Sequence, residues 1–124
     1  MASLNTQDRE FLTTLFGDRV TFDRIERKLY SHDVAAIPGL VKPLVGHATC
    51  EGVVQPRTEE QVVDLLTWAA RRGVALTPRG KATSGYGGVI PVKKGVVVDF
   101  YFMKDVLEVD HDAQTARVQP GVTW

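Results

Sequence analysis

The sequence predicts an α+β fold: a small lobe in which a βαβ unit is followed by further strands and a hairpin, preceded by N-terminal helices. Three observations predict it. A strand–helix–strand pattern fills Gly52 to Thr77. A continuous apolar run, Val96–Val98, follows a long glycine-rich stretch. Two alternating segments, Val106–Asp110 and Thr115–Gln119, flank the turn-forming residues His111–Gln114. The reading divides the chain into residues 1–50, helices and an irregular connection, and residues 51–124, the first lobe of a larger domain.

The first helix is expected over Thr6–Phe16. Phe11, Leu12, Leu15 and Phe16 form its apolar stripe, and Gly17 stops it. A second, short helix is expected after Thr21, with Thr21 as cap and Val20 stapled onto Ile25. Phe22, Ile25 and Leu29 are expected to face inward. Ile37–Thr49 carries Pro38, Gly39, Pro43 and Gly46 and reads as an irregular connection. Gly52–Gln55 is a strand closed by Pro56. Thr58 and Gln61 then form a T-x-x-Q capping box, Val62, Leu65, Leu66 and Ala69 recur at helical spacing, and Gly73 ends the helix. Val74–Thr77 is expected to pair with the strand before the helix as a parallel neighbour. No stop signal follows Trp124, and the pattern reads as truncated at its C-terminal end.

Composition narrows the function classes. The 124 residues are 44% hydrophobic and 24% charged, ordinary for a folded domain. The formal net charge is zero, so no global field draws nucleic acid or anionic lipid, and an anion site must be built locally. One cysteine, Cys50, excludes an internal disulfide framework and fits a reducing cytoplasm. No apolar run approaches the roughly 20 residues that span a bilayer, so membrane contact is expected only at the periphery of an inner face, through partners. His47 and Cys50 stand three apart without a further ligand pair, against a zinc site. No side chain has the pattern of a catalytic base or nucleophile, and none is assigned.

The chemistry concentrates in Pro78–Gly88, PRGKATSGYGG. Gly80, Gly85, Gly87 and Gly88 permit positive φ and close approach of backbone to a ligand. Successive N–H groups can form an anion-binding concavity. Thr83 and Ser84 add hydroxyls, and Arg79 and Lys81 add charge, a donor set suited to a diphosphate. The stretch matches neither G-x-x-x-x-G-K-[ST] nor G-x-G-x-x-G opening a helix. From chemistry alone, a phosphate cradle and a flexible surface loop both remain open.

A resemblance adds to this. The segment VVQPRTEEQV (Val53–Val62), LTPRG (Leu76–Gly80) with Thr83-Ser84 and Gly87-Gly88, VVVD (Val96–Asp99) with Met103, VLEVD (Val106–Asp110) and VQPGV (Val118–Val122) together resemble FAD-binding flavoproteins of the vanillyl-alcohol-oxidase family. The branch with glycolate oxidase and D-lactate dehydrogenase subunits looks most similar. Tyr30-Ser-His-Asp33 is similar to a segment that often precedes the domain there. The resemblance spans about residues 28–124 and rests on five motifs in order.

It implies FAD as cofactor, with Pro78, Arg79, Gly80, Lys81, Ala82, Thr83, Ser84, Gly85, Gly87 and Gly88 forming the binding loop and the backbone of Gly80–Ser84 cradling the pyrophosphate. Lys81 and Ala82 stand where glycines are common, and positive φ at Ala82 would be costly. Thr83 stands where covalent members carry the flavin-linking histidine, so the flavin is expected to be non-covalent. The resemblance implies part of an oxidoreductase acting on 2-hydroxy acids, with substrate groups supplied by a later domain. The rivals are a non-catalytic fragment or subunit whose partner completes the flavin site, and a structural module that has lost flavin. A second lobe, a second subunit or self-association is expected to complete the site. Tyr30 and Asp33 are open between shaping that site, core packing and turn capping.

Overall fold

A computed structural model describes residues 3–34 and 49–123. The expected connection over Ile37–Thr49 lies almost wholly outside the described residues, as does His47.

Helix α1 (Thr6–Phe16) starts at Asn5, whose side chain accepts the Asp8 N–H while the Asp8 carboxylate accepts the Asn5 N–H. This reciprocal cap satisfies two donors that the first turn leaves open. Gly17, at φ 61°, ends the helix as its sequence predicts. Leu12 and Phe16 are fully buried. A short strand β1 (Val20–Thr21) leads to α2 (Arg24–Tyr30).

Helix α2 departs from expectation twice. Asp23, not Thr21, caps it, accepting the N–H groups of Ile25 and Glu26. The Thr21 hydroxyl instead accepts the Asp23 N–H one step earlier. Ile25 and Leu29 face outward, 72% and 67% exposed, and only Phe22 of the three packs inward. The helix docks through hydrogen bonds on its other face. The Arg27 guanidinium donates to the Cys50 carbonyl at 3.3 Å, and the Cys50 N–H donates to Ser31 Oγ at 3.0 Å. An apolar count cannot see a helix held by polar contacts.

Strand β2 (Gly52–Val54) precedes α3 (Glu59–Arg72). Thr58 Oγ accepts the Gln61 N–H, as the box predicts, but Gln61 Oε1 reaches past the cap to the Arg57 N–H. Gly73 closes α3 in the left-handed region, and the Val74 N–H then bonds back to the Ala69 carbonyl. That bond consumes Val74 in the helix end. The next strand, β3, therefore spans Leu76–Arg79 and not Val74–Thr77. Pro78 and Arg79 belong to it, and the irregular segment begins at Gly80. β3 lies at the sheet edge, where a proline without an N–H is tolerated.

Strand β4 (Val96–Asp99) is buried throughout, as its apolar run predicts. It lies between β2 and β3, parallel to both, in the order β1-β2-β4-β3. The expected β2–β3 neighbours are thus separated. The most apolar strand takes the centre, where both faces are covered. Alternation along the strands sorts the core. Val54, Val96 and Val98 pack with Leu12, Phe16, Leu65 and Val74 under α1 and α3. Val53 and Val97 pack with Cys50 and Tyr30 on the other face. The hairpin β5 (Val106–Asp110) and β6 (Thr115–Val118) forms a separate antiparallel sheet where expected.

Arg72 joins α3 to α1 through a two-pronged bond to the buried Asp8, at 2.8 and 3.0 Å. The hydrogen bonds from Arg72 hold the Asp8 carboxyl below its ordinary value of 3.8 against the opposing effect of burial. A depressed value in the folded state stabilises fully above the ordinary value and is lost as pH falls through the lowered one. Urea unfolding at pH 7 and pH 3 should show wild type losing more stability on acidification than Asp8→Asn. Equal losses would show that the pair does not set the acid limb.

Candidate functional site

Three parallel strands end side by side. The residues that end them on the α2 face are polar, and two of the three follow a valine in phase. Gln55 follows Val53, Asp99 follows Val97 and Arg79 follows Thr77, each two positions on. Register places Arg79 opposite Asp99. Gln55 Nε2 donates to Asp99 Oδ2 at 2.7 Å and to the Tyr30 hydroxyl at 3.2 Å. A row Gln55–Asp99–Arg79 therefore crosses the carboxyl edge of the sheet, with the Tyr30 ring lying against it. Open parallel sheets bind ligands at this edge.

A cleft of about 320 Å³ opens there, lined by Leu29, Tyr30, Arg79, Gly80, Lys81, Asp99 and Tyr101. Burial, followed by the charge of Asp99, raises the Tyr30 hydroxyl above its usual range. It is therefore a neutral hydrogen-bonding group at physiological pH. The Lys81 ammonium lies 4.4 Å from the Tyr101 ring centroid, and Lys104 lies 4.9 Å from the same ring. Two cations therefore sit against the Tyr101 ring, and one of them, Lys81, lines the cleft, in a chain of zero net charge.

Residues 80–95 join β3 to β4 without helix or strand. Gly80, Lys81, Thr83, Ser84, Gly85 and Gly88 are exposed. Of Gly80, Gly85, Gly87 and Gly88 only Gly87 uses a positive φ, 78°. A Cβ at Gly85 or Gly88 would meet nothing within 4 Å, and at Gly80 only the Pro120 carbonyl at 3.7 Å. The fold does not require these three glycines. They keep the loop backbone bare where a ligand could approach, as a diphosphate cradle needs. Ala82 takes a φ of 54° with its side chain buried, the conformation whose cost its Cβ foretells. That strain amounts to about 1–2 kcal/mol, held by the surrounding packing.

Arg79 behaves differently from a free phosphate donor. Its Nη1 donates to the carbonyls of Tyr30 and His32, at 2.7 and 3.3 Å, and its guanidinium stacks 5.0 Å from the Tyr30 ring centroid. The structure thus brings Arg79, Gly80 and Lys81 to the cleft with Tyr30, Asp99 and Tyr101. Gln55, Asp99 and Tyr101 were not singled out from sequence. For Gln55 and Asp99 the signal was available: a polar residue at the end of an apolar strand, in phase with its α2-facing valine.

Other candidates carry no chemistry. Burial pushes the Cys50 thiol up, which makes it unreactive. Among the described residues no group of His, Cys, Asp and Glu could hold a metal, and no helix is long and apolar enough to cross a membrane.

The profile of a family described as "FAD binding domain" matches residues 50–124. The chain is 38% identical over 72 residues to the glycolate oxidase subunit GlcD of Bacillus subtilis, covering 58% of this chain and 15% of that protein. It is 30% identical over 119 residues to the mitochondrial D-lactate dehydrogenase [cytochrome] of Arabidopsis thaliana, covering 91% of this chain and 19% of that protein. Among solved structures, alkyldihydroxyacetonephosphate synthase superposes with a TM-score of 0.79 at 24% identity, over 97% of this chain and 23% of that one. That likeness shows the fold. The chain spans about a fifth or less of the length of these curated relatives.

Proposed function

This chain belongs to the FAD binding domain family, and we propose that its Gly80–Gly88 loop, entered from Pro78 and Arg79 at the end of β3, holds the diphosphate of FAD in an oxidoreductase acting on 2-hydroxy acids. The observation that carries the reading is the bare, hydroxyl-bearing loop opening at the carboxyl edge of three parallel strands, beside a cleft lined by Arg79, Gly80 and Lys81. The residues fit the cofactor. Thr83 and Ser84 offer hydroxyl donors, and Gly80, Gly85 and Gly88 leave room for phosphate oxygens against backbone. FAD, when bound, supplies the hydride acceptor, while the protein supplies binding and orientation.

The substrate class rests on the relatives. Glycolate and D-lactate, the compounds named in theirs, are both 2-hydroxy acids. No residue here is assigned to proton abstraction. The site reads as one lobe that a further lobe or partner completes. The hairpin β5–β6 supports this, since Val106, Leu107 and Val109 are each more than half exposed on it. Such apolar strands are suited to covering by another element.

Thr83 sets the mode of attachment, because threonine offers no nucleophilic ring nitrogen for a link to flavin. Acid precipitation of the yellow protein should leave the flavin absorbance in the supernatant. Colour retained in the pellet would refute non-covalent binding, and a preparation that takes up no FAD in a fluorescence titration would refute the cofactor site itself.

A further inference from the structure

The stretch Gly80–Gly88 that follows β3 is tied at both ends to the same four residues, Tyr30–Asp33. At its entry, Arg79 Nη1 donates to the backbone carbonyls of Tyr30 and His32. At its far side, the Gly87 N–H donates to Asp33 Oδ2 at 2.7 Å. Between these ties, Gly80–Tyr86 forms no strand pairing. The hydrogen bond inside it runs from the Tyr86 N–H to Ser84 Oγ at 3.3 Å. Gly87 can meet Asp33 because its positive φ turns the chain there.

The residues that do the holding are themselves anchored. Ser31 is buried, donates to the Arg27 carbonyl at 2.6 Å and accepts the Cys50 N–H at 3.0 Å. Residues 30–33 are thereby fastened both to the end of α2 and to the chain entering β2.

We propose that Tyr30–Asp33 is a positioning segment for the cofactor loop, clamping its two ends so that the amides between them are set before FAD arrives. The proposal rests on the reading of this loop as the diphosphate site. A glycine-rich loop that is loose when empty must be ordered by its ligand, which lowers affinity. Clamping it in advance removes that cost from binding. The ligand class is a diphosphate, and the residue that acts without touching it is Asp33.

The test uses the protein as its own gene encodes it, with FAD as the probe. Two readouts are taken: hydrogen exchange of the residue 80–88 amides without FAD, and FAD affinity by flavin fluorescence. Asp33→Ala removes the acceptor. It should speed exchange at Gly87 and its neighbours and weaken FAD about tenfold, by loss of preorganisation. Asp33→Asn keeps a side-chain oxygen and should restore affinity to within about threefold, since a neutral acceptor makes the weaker bond. Should Asp33→Ala fail to fold, Arg79→Gln removes the entry tie and carries the same two readouts.

Wild-type exchange in Asp33→Ala would overturn the clamp. So would faster exchange with unchanged affinity, or an Asp33→Asn protein as weak as Asp33→Ala. Gly80→Leu separates the two levels. If it impairs FAD binding while Asp33→Ala does not, the positioning role alone falls. If it leaves FAD binding intact, the loop is not the diphosphate site.

Discussion

Replacing Gly80 with leucine is expected to weaken FAD binding by roughly tenfold to a hundredfold, about 1.4–2.7 kcal/mol, while stability changes by no more than about 0.5 kcal/mol. The two halves of this expectation come from one geometric fact. Gly80 is exposed, uses no positive φ, and its notional Cβ finds only the Pro120 carbonyl at 3.7 Å. A side chain there costs the empty fold little. It does occupy the mouth of the cleft between Tyr30, Lys81 and Tyr101, where phosphate oxygens would have to approach backbone. Arg71→Ala, on the outer face of α3, is the comparison. Fluorescence titration of both variants decides the matter, and equal FAD affinities would take the loop out of the site.

Gly95→Ala is expected to act in the opposite sense, on the fold and not on the ligand. Gly95 enters β4 at φ 66°, and a Cβ there would lie 2.1 Å from the Ala75 carbonyl oxygen and 2.9 Å from its carbon. That same oxygen accepts the Val96 N–H at 2.9 Å, and the Gly95 carbonyl accepts the Glu51 N–H at 2.7 Å. The collision therefore falls on backbone that stitches the segments before β2 and β3 to the start of β4. Left-handed strain contributes about 1–2 kcal/mol, and forced displacement of packed backbone about 1–3 kcal/mol more. The melting temperature should drop by roughly 10 °C or more. Gly73→Ala isolates the first term. Gly73 has φ 65° but nothing within 4 Å of its Cβ position, so only the strain should appear. Equal melting temperatures for the two variants would show that the Ala75 contact yields without cost.

Several elements were legible because their determinants are local. The end of α1 at Gly17 and of α3 at Gly73 follows from residues that accept positive φ. The β5–β6 hairpin follows from alternation on either side of a polar turn. The cost at Ala82 could be read from a Cβ standing where glycine is usual, and the backbone there is left-handed. The loop was legible as a glycine-rich break between strands. Its start was misplaced by two residues, because the Val74 N–H closes the helix before the strand begins.

The chain's own order of residues determined which segments are helix and strand, where the glycine-rich loop falls, and that Val96–Val98 is covered on both faces. These properties depend on neighbours a few positions away, through backbone conformation and side-chain period. Only the tertiary structure decided which strands adjoin. It placed β4 between β2 and β3, since the strand with the greatest apolar surface is best hidden at the centre. That insertion brings Gln55 and Asp99 into one row, although they lie 44 positions apart. It likewise gave α2 a polar docking face, turned Arg79 toward the Tyr30 and His32 carbonyls, and set Asp33 against Gly87. Contacts of this kind join residues 19 to 54 positions apart, and no local period encodes them. They form because the packed sheet holds both partners within hydrogen-bonding reach and buries the groups that would otherwise bond to water.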